Sequence, residues 1–207
     1  MLQVLGRSSS INVRKVLWTC AEIGLRREHV EWGTGDLSLA SAEFLALNPN
    51  GLVPVIRDGD LTLCESNTIC RYLASKHERT DLLPASAADR AHAEQWMDWQ
   101  ATELNNAWRY AFIGLVRRSA QHQDVSQIEA SATAWNRQMA ILEARLASGG
   151  PFLLGSVFTL ADVVVGLATH RWYSTPITRP DSPAVAAYYE RLSLRPGFMA
   201  YGRNGIP

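Results

Sequence analysis

Asn48-Pro49-Asn50-Gly51-Leu52-Val53-Pro54-Val55-Ile56 is the stretch that decides the fold. Asn-Pro and Asn-Gly both favour turns, so it begins as a turn. It continues as a strand with proline at its second position. A proline within a strand donates no ladder hydrogen bond, which predicts a strand that lies at an edge or bends there. X-Pro is also the one peptide bond where the cis form costs little, about 0.5–1 kcal/mol. A cis Val53-Pro54 bond would turn the Val53 backbone outward, leaving its N–H and C=O free for something extended, such as a peptide. Alone, the stretch reads as an edge strand that contains a proline. Asp58-Gly59, a second strand over 61–64, and Glu65-Ser66 opening a helix move the reading toward a binding edge.

Working outward toward the N-terminus, Leu2–Leu5 is a short apolar run that reads as a buried strand. After the polar loop 6–10, Val13, Val16, Leu17, Cys20 and Ala21 form one helical face, and Gly24 stands where a glycine cap belongs. Residues 29–32 are a weak strand, 33–40 a loop, and 41–47 a short helix capped by Ser41. Strands over 53–57 and 61–64 form a hairpin about Asp58-Gly59, followed by a helix over 66–77. The order is βαβαββα, and strands interleaved with helices imply a partly parallel sheet.

Working outward toward the C-terminus, residues 80–88 with Pro84 read as a linker, and no strand pattern follows. Residues 87–118 read as one long helix or two, bent at Gly114. Ile128, Trp135, Met139, Leu142 and Leu146 make a helical stripe. Residues 161–172 are apolar nearly all round, a central buried helix. Ser182 and Pro183 open another. The expected organisation is an α/β domain over 1–79 followed by an all-α domain over 88–207.

Bulk composition narrows the function. With 47% apolar residues, 19% charged residues and zero formal net charge, the chain reads as an ordinary globular protein. No basic run points to nucleic acid as a partner. No stretch has membrane-spanning length, and no signal-peptide core opens the chain. Cys20, Cys64 and Cys70 form no CxxC pair, which points to reduced thiols and a cytoplasmic location. The five histidines lack ligand spacing, so no metal is expected.

Three clusters carry chemistry. Thr159-Leu160-Ala161-Asp162 is a capping box, a folding signal for a helix that must be buried. At Glu65-Ser66, a hydroxyl and N–H at a helix start can read a carboxylate, and the adjacent Glu65 can hold an ammonium. Together they suit the zwitterionic end of an amino acid, though a plain N-cap uses the same residues. Ser8-Ser9-Ser10-Ile11-Asn12 precedes the first helix, where a hydroxyl can either cap the helix or donate to an anion. A thiol bound there would have its pKa lowered from about 8.5 by the dipole and the donor. An edge that grips a peptide, a pair that grips its amino-acid head, and a hydroxyl that meets its thiol together describe glutathione.

In these residues the sequence resembles a glutathione S-transferase. The resemblance rests on Gly6-Arg7-Ser8-Ser9-Ser10-Ile11-Asn12-Val13-Arg14-Lys15-Val16, on Asn48–Pro54, on Glu65-Ser66-Asn67, and on Phe158-Thr159-Leu160-Ala161-Asp162. It spans nearly the whole chain and is nearest the bacterial theta-like branch, which uses serine. It implies a thioredoxin-like N-terminal domain, a helical C-terminal domain and a homodimer. It also implies glutathione as co-substrate, held at Leu52, Val53, Pro54, Glu65 and Ser66. Ser10 corresponds to the thiol-activating serine, with Asn12 a second donor and Ser9 the alternative if the loop register slips by one.

The second substrate implied is a small hydrophobic electrophile, with Trp108, Tyr110, Phe112, Trp172 and Tyr173 as candidate pocket walls or as plain helix-packing core. Disulfide or peroxide reduction is the alternative if Asn12 is the main thiol contact, and a non-catalytic binding module of the same fold is another. Two departures stand out. Residues 37–40 are Leu-Ser-Leu-Ala where the family often reads the glycine carboxylate, and Leu52 replaces a common cation. Arg7, Arg14 and Arg109 are the cations available to compensate.

Overall fold

A computed structural model describes residues 1–207. In chain order come β1 (Leu2–Leu5), α1 (Ile11–Ile23), β2 (Arg27–Val30), α2 (Ala42–Leu47), β3 (Val55–Asp58), β4 (Leu61–Cys64) and α3 (Ser66–Lys76). Then follow α4 (Ala87–Trp99), α5 (Asn105–Leu115), α6 (Val125–Gly149), α7 (Leu160–Ser174), α8 (Pro183–Leu192) and α9 (Pro196–Tyr201). This is the thioredoxin-like unit followed by a helical half. The strand order is β2-β1-β3-β4, with β1 parallel to β2 and antiparallel to β3, and β3 antiparallel to β4.

Alternation sorts the sheet's two faces. Val4 and Ile56 join the main core, while Leu5 and Val55 join a small cluster with Trp32 and Phe44. α2 carries Phe44 to that second face and is capped as the sequence predicts, Ser41 Oγ accepting from the Phe44 N–H at 3.2 Å. α1 ends at Gly24, whose φ of 80° is the left-handed conformation glycine adopts without penalty.

Two local expectations change. β3 is an interior strand, not an edge. Pro54 escapes the rule against interior prolines because it stands just before Val55, the first ladder residue, where no sheet bond is lost. The helical run after the linker is unbroken, the first of its two readings, but it ends at Leu115, so Gly114 lies in its last turn and not at a mid-helix bend. α4 passes into α5 through one π turn, Gln100–Leu104. Gly114 serves a close approach instead: a Cβ there would stand 2.2 Å from the His122 carbonyl oxygen.

α7 is buried from Leu160 to Trp172 and forms the axis of the helical half. The main core runs without interruption from Val4 and Ile56 through α1 and α3 to α7 and Phe198. Leu160 N–H donates to the Leu82 carbonyl at 2.9 Å, tying the connecting segment to the start of α7. No helix is long and apolar enough to cross a membrane.

Candidate active site

The topology gathers the predicted clusters at one end of the sheet. β1 ends at Leu5, which pairs with Val55 at the start of β3, and Val55 pairs with Cys64 at the end of β4. The loop with Ser8–Ser10, the Val53-Pro54 turn and the Glu65-Ser66 helix start therefore all leave the sheet at this end. The Val53-Pro54 bond is cis, and the Val53 N–H and C=O bond to nothing within the chain. Gly6 makes the approach possible: a Cβ on it would lie 2.7 Å from Val53 Cβ. Pro54 is buried beneath, and Leu52 is 62% exposed. The Leu52 carbonyl is already taken by Asn48 Nδ2 at 2.7 Å.

At the start of α1, Ser10 is the N-cap residue by position, yet its side chain caps nothing. The Ser9 and Ser10 hydroxyls and the Asn12 amide make no hydrogen bond within the chain, and the Ile11, Asn12 and Val13 N–H groups are likewise unpaired. The loop itself is fixed. Arg117 Nη2 donates to the Ser9 carbonyl at 2.9 Å, and the Ser8 N–H donates to Glu31 Oε2 at 3.0 Å.

At the start of α3, Glu65 has φ 68°, a strained left-handed conformation for a residue with a Cβ. Its carboxylate is exposed and unpaired, and the buried Ser66 offers a hydroxyl and N–H that no protein group takes. Strain of this kind costs on the order of 1–3 kcal/mol and persists where the surroundings enforce it.

Ser9, Ser10 and Asn12 open onto a cavity of about 560 Å³ whose far wall includes Asn105, Trp108, Phe112 and Arg171. Of the five aromatics read as pocket walls, the structure brings Trp108 and Phe112 here. They lie four apart on α5 and share a face. Tyr110, two positions on, faces away and packs on His122 at 4.9 Å between ring centres. Trp172 is core, its indole N–H donating to Asn136, and Tyr173 packs on Tyr189. A larger cavity of about 750 Å³ beside Pro84, Trp96 and Leu153 contains none of the predicted site residues.

Polar groups outside the sequence reading support the site from behind. Lys15 is 1% exposed and touches no carboxylate. Its Nζ donates to Gln100 Oε1 at 2.6 Å and to Asn67 Oδ1 at 3.3 Å. Burial is the main cause that pushes the Lys15 pKa down to about 7. Gln100 Nε2 in turn donates to Asn105 Oδ1 at 2.8 Å, which also accepts from the Trp108 indole at 3.0 Å. The π turn creates this link, since it brings residues five apart into register. Four arginines, Arg7, Arg109, Arg117 and Arg171, also line the cavity, with no acidic residue among its walls. Arg14 is not free to join them: it is buried and donates to the carbonyls of Tyr201, Ile206 and Pro207.

Comparison with known proteins gives the arrangement a context. Family models described as "Glutathione S-transferase, N-terminal domain" and "Glutathione S-transferase, C-terminal domain" match residues 5–81 and 126–191. The chain is 38% identical to Glutathione S-transferase GstB of Escherichia coli (strain K12), over 95% of each chain. It is 31% identical to Elongation factor 1-gamma 2 of Oryza sativa subsp. japonica, over 92% of this chain and 46% of that protein. A crystal structure of the theta class glutathione S-transferase from Xanthomonas axonopodis pv. citri, with glutathione bound, superposes with a TM-score of 0.90 and 36% identity, covering 97% of this chain and 96% of that one.

Proposed function

We propose, from the premise that the chain belongs to the glutathione S-transferase family, that it binds glutathione at the sheet end and transfers it to a small electrophile in the adjoining cavity. Residues 1–79 carry glutathione and residues 88–207 supply the electrophile walls. One observation supports this most strongly: Val53, Ser66 and the start of α1 present unpaired polar groups at the same end of one sheet. Buried or half-buried polar groups are otherwise almost always paired. Glutathione is a peptide with a zwitterionic head and a thiol, and its backbone would pair with Val53. The γ-glutamyl carboxylate would accept from Ser66, and its ammonium would meet Glu65.

The thiol would then sit at the start of α1. Ser10 donates a hydrogen bond to the thiolate, and three free N–H groups and the helix dipole add positive potential. Each favours the anion and lowers the thiol pKa from about 8.5. Ser10 takes no proton, because a hydroxyl is far too weak a base; the thiol proton leaves to solvent. The thiolate sulfur bonds to the electrophilic carbon as the leaving group departs with its electron pair. Trp108 and Phe112 supply the apolar wall that holds the electrophile near that sulfur.

The likeness to an elongation factor 1-gamma favours a second reading, a binding module of the same fold without turnover, since fold does not fix function. One experiment separates the two. The protein is expected to be retained on immobilised glutathione, to elute as a dimer of twice 22.9 kDa by light scattering, and to conjugate glutathione to members of a panel of aryl and alkyl halides. Conjugation selects transfer, and retention without conjugation, or no retention at all, contradicts transfer and leaves the binding module.

A further inference from the structure

We propose that the electrophile this cavity accepts carries an anionic group of carboxylate type, gripped by Arg171; the proposal rests on the transfer reading above. Arg171 lies on α7, is 3% exposed and lines the cavity. Its guanidinium lies 4.5 Å from the Trp108 ring centre and 4.0 Å from that of Phe112. No N–H of that guanidinium donates to a protein acceptor, and Nε is both fully buried and unpaired. It enters no ion pair, and neither do Arg7, Arg109 and Arg117.

A buried charge without a partner is costly, and the nearby Arg14 and Arg117 charges add to the burial that disfavours the Arg171 cation. Arginine nonetheless keeps its proton, so an anion is what relieves the cost. Glutathione does not use up the positive charge here. Beyond the head group read at Glu65 and Ser66, it brings one glycine carboxylate and one thiolate, against four guanidiniums. Trp108 and Phe112, whose rings meet edge to face at 81°, flank the guanidinium and hold it at the cavity wall. The guanidinium's own planar fork of donors matches a carboxylate, with which it can form two parallel bonds. The electrophile would thus be oriented by its carboxylate on the α7 wall, with its reactive carbon toward Ser10 and Asn12.

A matched pair of aryl halides tests this: 4-chloro-3,5-dinitrobenzoate and 4-chloro-3,5-dinitrobenzamide. In each, the thiolate sulfur bonds to the ring carbon that bears chlorine, and chloride leaves with the bonding pair; the carboxylate takes no part. After correction for uncatalysed rates, the full-length protein is expected to prefer the benzoate in kcat/KM by about tenfold or more, the worth of a charge-assisted bond. Arg171→Met is expected to bring that ratio close to one, through a raised KM for the benzoate, with Arg171→Lys intermediate. The Met variant should melt no lower than wild type, because it removes an unpaired buried charge.

Equal kcat/KM for the two substrates in wild type overturns the proposal. So does weaker glutathione binding by Arg171→Met with an unchanged ratio, which would make Arg171 a reader of glutathione's own carboxylate. If wild type conjugates neither halide, the transfer reading fails, and calorimetry of 4-chloro-3,5-dinitrobenzoate without glutathione decides the anion site separately. Binding that Arg171→Met or Arg171→Lys weakens about tenfold supports it, and no binding overturns it.

Discussion

The starts of α7 and α1 use the same chemistry to opposite ends. At α7, Thr159 and Asp162 are fully buried and form a capping box within the chain. The Asp162 carboxylate accepts from the Thr159 N–H at 2.9 Å, the Leu153 N–H at 3.0 Å and the Tyr188 hydroxyl at 3.2 Å. At α1, Ser10 holds the capping position and caps nothing, and α3 repeats the pattern with Glu65 and Ser66. Hydroxyls and carboxylates at helix starts stabilise the fold where the chain itself supplies their partners. Where it does not, they stay unpaired within the chain, as the proposed glutathione site requires.

The largest expected effect lies on the closed side of that comparison. Asp162→Ala leaves the buried Thr159 and Leu153 N–H groups without an acceptor and Tyr188 with only the residue-162 carbonyl, and should lower stability by about 3 kcal/mol or more. Chemical denaturation measures it, and an unchanged midpoint would mean the box holds nothing. The pH dependence sharpens this. Burial outweighs the hydrogen bonds the carboxylate accepts and raises the Asp162 pKa to about 6, above its usual 3.8. The folded state therefore holds this proton more tightly than the unfolded state does, a contribution present below pH 3.8 and lost as pH rises through 6. The stability difference between wild type and Asp162→Ala should shrink over that window.

A smaller effect is expected on the open side, and in a different property. Glu65→Gln should leave the denaturation midpoint where it is, because the exposed carboxylate bonds to nothing in the chain. Glutathione affinity should fall by roughly 1.5–3 kcal/mol, the range for a charge-assisted hydrogen bond. Equal affinity by calorimetry would reduce Glu65 to a helix-start residue and remove one half of the comparison.

Much of this was legible in the sequence, because the signals were local. The βαβαββα order, Gly24, the Ser41 cap and the Thr159/Asp162 box each depend on a few adjacent residues. The sheet end was legible through its turn residues and the family likeness. What stayed hidden depends on phase and partners. Counting aromatics does not give helix phase, so Tyr110, Trp172 and Tyr173 were grouped with Trp108 and Phe112 though they point elsewhere. The π turn at Gln100–Leu104 has no residue signature, and with it the chain of bonds from Lys15 to Trp108 went unseen. Pro54 pointed to an edge because the sequence does not say on which residue a ladder begins. Arg171 did leave a trace: it is a charged residue in an otherwise apolar helix, and such a charge needs a partner.

The most direct measurement is the pKa of the glutathione thiol bound to the protein, followed by thiolate ultraviolet absorbance across pH. Ser10→Ala should raise it by about one to two units, since one unit corresponds to about 1.36 kcal/mol and one charge-assisted bond is at stake. Stability should not change, because the Ser10 hydroxyl caps nothing. Ser9→Ala and Asn12→Ala, measured alongside, fix the register of the loop. A shift confined to Asn12→Ala would move the thiol one helical step and favour reduction over transfer. A bound-thiol pKa that none of the three variants moves would contradict the account, leaving the start of α1 as a helix start and nothing more.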